Sequence, residues 1–222
     1  ILAYFYSMRY KNGNYGLVTA SYNSETQEEN YSNSQVVDKD FARQVTGSKI
    51  GKEVELNSFK IREVVPTSDF GMVVVAERFF VSDQNETFYQ NGIPITSSRN
   101  VYNFEEVLFF SLSKVGSIKW NKLVLKRQNS VNDGGYYSSV VIVPAVDKIH
   151  LIYNEKLMYN GDVIQYSIDK NGESSQKNIF RNDMASYMIV PVESRQIGYN
   201  RAALPIFMSN GDRGLLKLIY KN

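Results

Sequence analysis

The sequence predicts an all-β fold of repeated four-stranded antiparallel blades, a β-propeller or part of one. Three observations predict it. First, an apolar run ending in proline, then a turn, then a second apolar run recurs three times. The instances are Val64-Val65-Pro66 before Met72-Val73-Val74-Val75, Val141-Ile142-Val143-Pro144 before residues 149–153, and Met188-Ile189-Val190-Pro191 before residues 196–199. Proline has no amide hydrogen for a ladder, so it marks where a strand stops, and each instance reads as a hairpin. Second, the 16 tyrosines and 12 phenylalanines favour strands. Third, Pro144 and Pro191 lie 47 residues apart, and a four-stranded blade takes roughly 40–50 residues.

Taken in order, the elements divide into four units. Residues 1–55 hold strand-like runs at 2–8 and 15–22 around the turn Lys11-Asn12-Gly13-Asn14. The polar stretch 23–40, rich in Ser, Asn, Gln and Glu, reads as a loop with a helical turn at most. Residues 57–127 hold runs at 59–65, 72–81, 107–112 and 118–125. Within them, residues 82–103 lack apolar periodicity and read as an inserted extended loop. Residues 136–181 hold runs at 137–143, 149–153, 163–168 and 173–180, the last two joined by the turn Asp169-Lys170-Asn171-Gly172. Residues 184–222 hold runs at 187–190, 196–199, 203–207 and 215–220. The four units form one propeller-like domain over residues 1–222. Propellers close with about four to eight blades, so the expectation is a piece of a larger ring. The opening run at Ile1, with neither methionine nor charged leader, fits a processed chain or a fragment.

Composition excludes several classes. A net charge of +2 with both signs mixed gives no electrostatic basis for nucleic-acid binding. No cysteine means no disulfide and no thiolate nucleophile or metal ligand. The single histidine, His150, cannot build a multi-histidine metal site. No cofactor is expected. No apolar stretch reaches the ~18–20 residues of a membrane-spanning helix.

Candidate site residues follow from the repeat. Glu77, Asn154 and Asn200 each lie about ten residues after a unit's proline and end the second apolar run. As blade residues they would share one rim and form a binding site; as plain strand ends they would cap turns. Lys126, Arg127 and Gln128 lead into a loop containing Asp133, and the cations suit a carboxylate or phosphate. Asp133 is placed to hold Arg127. The glycines after Asp133 serve turn geometry, because no helix follows to cradle a phosphate. Glu105 and Glu106 are adjacent and point to opposite strand faces, so they cannot pair as acid and nucleophile. Glu77, Asp133 and Glu155 are the carboxylates left for glycosidase chemistry. His150 reads as a packed or hydrogen-bonded strand residue facing away from Ile149 and Leu151. Tyr102, Tyr136, Tyr137 and Tyr159 are candidates to stack on glycans. No catalytic residue is assigned.

Gly116-Ser117-Ile118-Lys119-Trp120 resembles the Gly-x-x-x-Trp end of blades in quinoprotein-like propellers. There the glycine makes the outer turn and the tryptophan packs between blades. Only this unit carries the tryptophan; Gln176 and Leu218 stand at the matching places. The sialidase-type aspartate box is absent, with Lys114 at its aspartate position. Over residues 70–155, Gly71 to Phe79, Glu105-Glu106-Val107, Lys126-Arg127-Gln128 and Asn132-Asp133-Gly134-Gly135 are similar to uncharacterised propeller-like exported proteins of Bacteroidota. The resemblance implies an extracytoplasmic bacterial protein and brings no activity. The expected function is a non-enzymatic binding or scaffold domain that presents loops to a protein or glycan partner. The alternatives are a carbohydrate-active hydrolase and an accessory subunit of a larger cell-envelope assembly.

Overall fold

The computed structural model describes residues 2–7, 15–37, 41, 45, 58–69, 71–157, 161–180 and 187–220. Met8, the turn at 11–14, residues 38–40, the junction at 55–57, Phe70 and Tyr159 lie outside them. The fold is all-β, as expected, and its strands pair antiparallel. The chain divides into two compact units, residues 1–78 with 106–125 and residues 79–105 with 126–222. The division falls within two long strands, β5 (Met72–Gln90) and β6 (Ile93–Leu112).

In the first unit, β1 (Leu2–Ser7), β2 (Tyr15–Tyr22) and β3 (Glu29–Val36) form a three-stranded sheet in chain order. β4 (Phe59–Pro66) pairs with the start of β5, from Phe59 opposite Arg78 to Pro66 opposite Met72. The end of β6 pairs with β7 (Ile118–Val124). The proline hairpin expected at Pro66 is therefore present. Alternate residues of β5 (Met72, Val74, Ala76) and of β6 (Leu108, Phe110, Leu112) enter one core with Leu17, Phe41 and Phe59. That spacing of two is the strand period. The Phe110 ring meets Phe41 edge-on at 5.7 Å and Phe5 at 5.9 Å. Gly116 closes the β6–β7 turn at φ 78, where a side chain would be strained and would press on Tyr31 and Thr19. Trp120 of β7 is half-buried.

The stretch read as a loop over residues 23–40 contains β3. Its inward positions are Tyr31, Asn33 and Gln35, so apolar periodicity could not reveal it. Gln35 bonds the backbone of the β6–β7 turn as a strand would: its Nε2 donates to the Gly116 carbonyl at 2.7 Å, and its Oε1 accepts from the Ile118 amide at 2.8 Å.

In the second unit, β8 (Gln128–Val131) pairs with β6 from Phe104 opposite Gln128 to Val101 opposite Val131. β9 (Val141–Pro144), β10 (Lys148–Asn154), β11 (Val163–Asp169) and β12 (Ser174–Phe180) form a four-stranded meander. The Pro144 hairpin is present, with Pro144 opposite Ile149. β13 (Tyr187–Ile189), β14 (Arg195–Gly198), β15 (Arg201–Met208) and β16 (Arg213–Ile219) form the remaining sheet. Val141, Val143, Ile152 and Val163 of the first sheet share a core with Ile189, Ala202 and Leu204 of the second.

The third expected hairpin is absent. β13 and β14 do not pair with each other; both pair antiparallel with β15, one after the other along the same edge. Pro191 opens a 3-10 turn to Glu193, and Ser194 returns both its amide and its hydroxyl to the Val190 carbonyl, at 3.1 and 2.8 Å. This jog keeps the chain direction instead of reversing it. The loop expected at 82–103 is also absent, since β5 and β6 run on to a two-residue turn at Asn91 (φ 52) and Gly92 (φ 80). Such a turn suits strand twist. Most side chains of this hairpin are exposed on both faces, which removes the alternation that would announce a strand.

Phe110→Ala should cost about 3–5 kcal/mol of stability and Phe110→Leu clearly less, measured by urea unfolding. A loss below about 1 kcal/mol for the alanine variant would contradict the central place given to this ring.

Candidate functional site

The second unit contains an open cleft of about 590 Å³. It lies at the end of β10 where that strand begins. Lys148 and His150 of β10, Gln165 and Ser167 of β11, Lys177 of β12, Asn200 before β15 and Tyr220 after β16 line it, with Asp147 at its mouth. The sheet register dictates the grouping: His150 faces Ser167 across β10 and β11, and Gln165 faces Lys177 across β11 and β12.

His150 is buried. It lies on the face opposite Ile149 and Leu151, as strand alternation requires. Its ring stacks on Tyr220 with centroids 3.9 Å apart and planes 9° apart. A hydrogen-bond chain then fixes each group. Tyr220 Oη donates to Gln165 Oε1 at 3.1 Å, and Gln165 Nε2 donates to Ser167 Oγ at 3.0 Å. Ser167 Oγ lies 2.8 Å from His150 Nδ1. Burial, together with the positive charges of Lys148 and Lys177, lowers the His150 pKa to about 4. The imidazole is neutral at pH 7. Burial also holds the Tyr220 phenol above its ordinary range, so it stays a donor.

The sequence expected His150 to be hydrogen-bonded and packed, and it is. Its neighbours Lys148, Gln165, Ser167, Lys177 and Tyr220 were not singled out. The available signal was Gln165 and Ser167 alternating within the run Val163-Ile164-Gln165-Tyr166-Ser167-Ile168, polar side chains on a face that elsewhere enters the core.

Of the candidates named from sequence, only Asn200 lines the cleft. It adopts φ 59, and its Oδ1 accepts from the Val146 amide at 3.2 Å. Asn154 ends β10, so it stands roughly 20 Å along the strand from Lys148, beside which Asn200 lies, at ~3.3 Å per residue. The two therefore do not share a rim. Glu77 belongs to the first unit, where its buried Oε2 accepts from Arg62 Nε at 2.9 Å and Nη2 at 2.8 Å.

Asn154, Gln128 and Lys126 do come together, in a buried network. Asn154 Nδ2 donates to the carbonyls of Tyr137 at 2.8 Å and Ile189 at 2.9 Å, and its Oδ1 accepts from the Ile189 amide at 3.0 Å. Gln128 Nε2 donates to the Asn154 carbonyl at 2.6 Å, and its Oε1 accepts from the Ser139 amide and from Lys126 Nζ, both at 2.8 Å. Lys126 Nζ also donates to the Phe104 carbonyl at 3.2 Å. These residues join β6, β8, β10 and β13, and they are buried.

Asp133 does not hold Arg127. Its Oδ1 accepts from Ser130 Oγ at 2.6 Å and from the Gly135 amide at 2.8 Å, which closes its own turn. The exposed Arg127 lies 3.8 Å from Glu105 instead. Tyr136 is engaged by Glu193. Among the described residues no group of three His, Asp or Glu is arranged to hold a metal ion, and no helix is long and apolar enough to cross a membrane. No protein-family model, curated protein or solved structure matches the chain.

Asn154→Ala would strand two carbonyls and an amide of the sheet boundary, so a loss of about 3 kcal/mol or more is expected in denaturant melts. A loss under 1 kcal/mol would show that water replaces the amide. The lowered His150 pKa sets a pH window. The unfolded chain takes up this proton near pH 6.5 and the folded one only near 4, so stability falls as pH drops from about 6.5 to 4. Solvent screening at the open side brings the expected loss to about 2 kcal/mol. His150→Gln should flatten that limb, and an unchanged acid limb in the variant would remove His150 as its cause.

Proposed function

We propose that this chain is a non-enzymatic binding domain of an exported bacterial protein. Its ligand site is the cleft at the start of β10, and the ligand is a glycan or a small polar group carried by a partner. The observation that carries the reading is the hydrogen-bond chain Tyr220–Gln165–Ser167–His150 along the cleft wall. A cleft with a few converging, prealigned polar groups is what small-ligand sites offer. The stacked His150 and Tyr220 rings hold those groups at little conformational cost on binding. In this reading the sheets are blades of a propeller or of a piece of one, and the β9–β12 meander supports it by its strand order. The exported setting rests on the likeness of residues 70–155 to propeller-like proteins of Bacteroidota.

The hydrolase alternative gains no support from its three carboxylates: Glu155 is exposed just past the Asn154 end of β10, away from the cleft. Glu77 is held by Arg62, and Asp133 closes a turn. Binding can be tested by calorimetry and saturation-transfer NMR against a panel of neutral and acidic mono- and disaccharides. At least one should bind the native protein, and Tyr220→Phe, which removes one hydroxyl, should weaken it about fivefold or more, the effect of losing one hydrogen bond. Binding that is indifferent to Tyr220→Phe and to Gln165→Leu, or none across the panel, would overturn the reading.

A further inference from the structure

We infer that the cleft recognises an anionic group, a carboxylate or other oxyanion, through Lys148, Lys177 and the Nε2–H of His150. This rests on the cleft being a ligand site, as proposed above.

The direction of the hydrogen-bond chain decides the histidine's role. Gln165 Oε1 is taken by the Tyr220 hydroxyl, so the Gln165 amide nitrogen faces Ser167 and donates to it. Ser167 Oγ, accepting from Gln165, has its own proton to give to His150 Nδ1, 2.8 Å away. Gln165 Nε2 also approaches Nδ1, at 3.4 Å, again as a donor. Nδ1 is therefore an acceptor, and the neutral ring carries its one proton on Nε2. His150 offers the cleft a donor.

The charges agree with that polarity. Lys148 comes from the same strand as His150 and Lys177 from β12, and both ammonium groups act on the ring. The other elements around His150 bring no further cation among the described lining residues. β11 contributes Gln165 and Ser167, the segment before β15 contributes Asn200, and the chain after β16 contributes the phenol of Tyr220. Among the described residues Asp147 is the one carboxylate lining the cleft, and Lys148 and Lys177 outnumber it two to one. Two ammonium groups and an imidazole N–H contributed by the residues that line one cleft are complementary to an oxyanion. Burial is the main cause of the neutral ring and the lysine charges add to it; an anion there offsets the lysine part, so anion binding and His150 protonation promote each other.

His150 is the only histidine in the chain, so its ring ¹H–¹⁵N correlations report this site alone. Three probes separate the possibilities: sodium glucuronate, glucose as its neutral counterpart, and sulfate, all at constant ionic strength. The free protein should show the Nε2–H tautomer. Glucuronate, sulfate or both should shift the ring signals saturably and raise the His150 pKa by about one unit, which is tenfold tighter anion binding at low pH. Glucose should bind at least tenfold more weakly than the best anion. Lys148→Ala and Lys177→Ala, both at exposed positions, should each weaken the anion about threefold to tenfold. Glucose binding as well as the anions would overturn the anion inference and leave the cleft as a ligand site. Silence of the ring toward all three probes, with binding detected elsewhere on the protein, would overturn both. An Nδ1–H tautomer would remove His150 from the recognition set.

Discussion

Backbone groups left unpaired inside a stack of sheets must find partners, because a buried amide or carbonyl without one costs about 1–3 kcal/mol. In the second unit that demand falls on Asn154. It sits where β10 ends and where, among the described residues, β13 has no strand on its other side. Its side-chain amide presents one acceptor and two donors, the same groups that a neighbouring strand would offer. With them it engages the amide and carbonyl of Ile189 and the carbonyl of Tyr137. A glutamate or serine could not supply both polarities at that spacing. Gln128 repeats the device one step further out, joining the Asn154 carbonyl to the Ser139 amide. Lys126 then settles its buried charge on Gln128 and the Phe104 carbonyl, with the Phe104 ring 5.9 Å from Nζ. Dipoles and a ring face are suited to stabilising a cation so placed.

The first unit uses the same chemistry. Gln35 pairs with Gly116 and Ile118 as a strand would, and Asn33 adds a bond to the Val115 carbonyl at 3.3 Å. Side-chain amides thus finish sheets whose strands stop early. This explains how a chain with abundant Asn and Gln at inward positions still builds buried sheet boundaries.

These amides also mark where the sequence stopped being legible. Apolar runs with alternation located β4, β10 and β11, and prolines located two hairpins, because both signals follow from burial and from the missing proline amide. β3 was invisible because its inward side chains are Tyr31, Asn33 and Gln35. The outer halves of β5 and β6 were invisible because neither face is buried. The Pro191 segment misled because a proline that ends a strand fits a reversal and a 3-10 jog equally well. Only the pairing of β13 and β14 with one edge of β15 separates them. At the level of sites, Asn154, Gln128 and Lys126 stood out as polar groups beside apolar runs. That pattern is shared by ligand sites and by structural joints, and it is partner geometry that assigns these three to the joint. The cleft residues come from β10, β11, β12 and β16, so no local pattern could gather them.

β10 shows how the two demands are kept apart. At its Asn154 end every polar group described here is tied to backbone, and loosening one bond exposes several others. At its Lys148 end the polar groups form a single chain that ends at the His150 ring, and the two lysines stand exposed beside it. Charge at that end can therefore change without disturbing the sheet boundary, since neither lysine fills a backbone vacancy. The one costly component there is the buried imidazole, which is stable in this setting because it is neutral and already bonded to Ser167. Under the proposed anion recognition, His150 stays uncharged until an external group compensates the lysines, while the amide network at the far end of the same strand secures the sheet boundary.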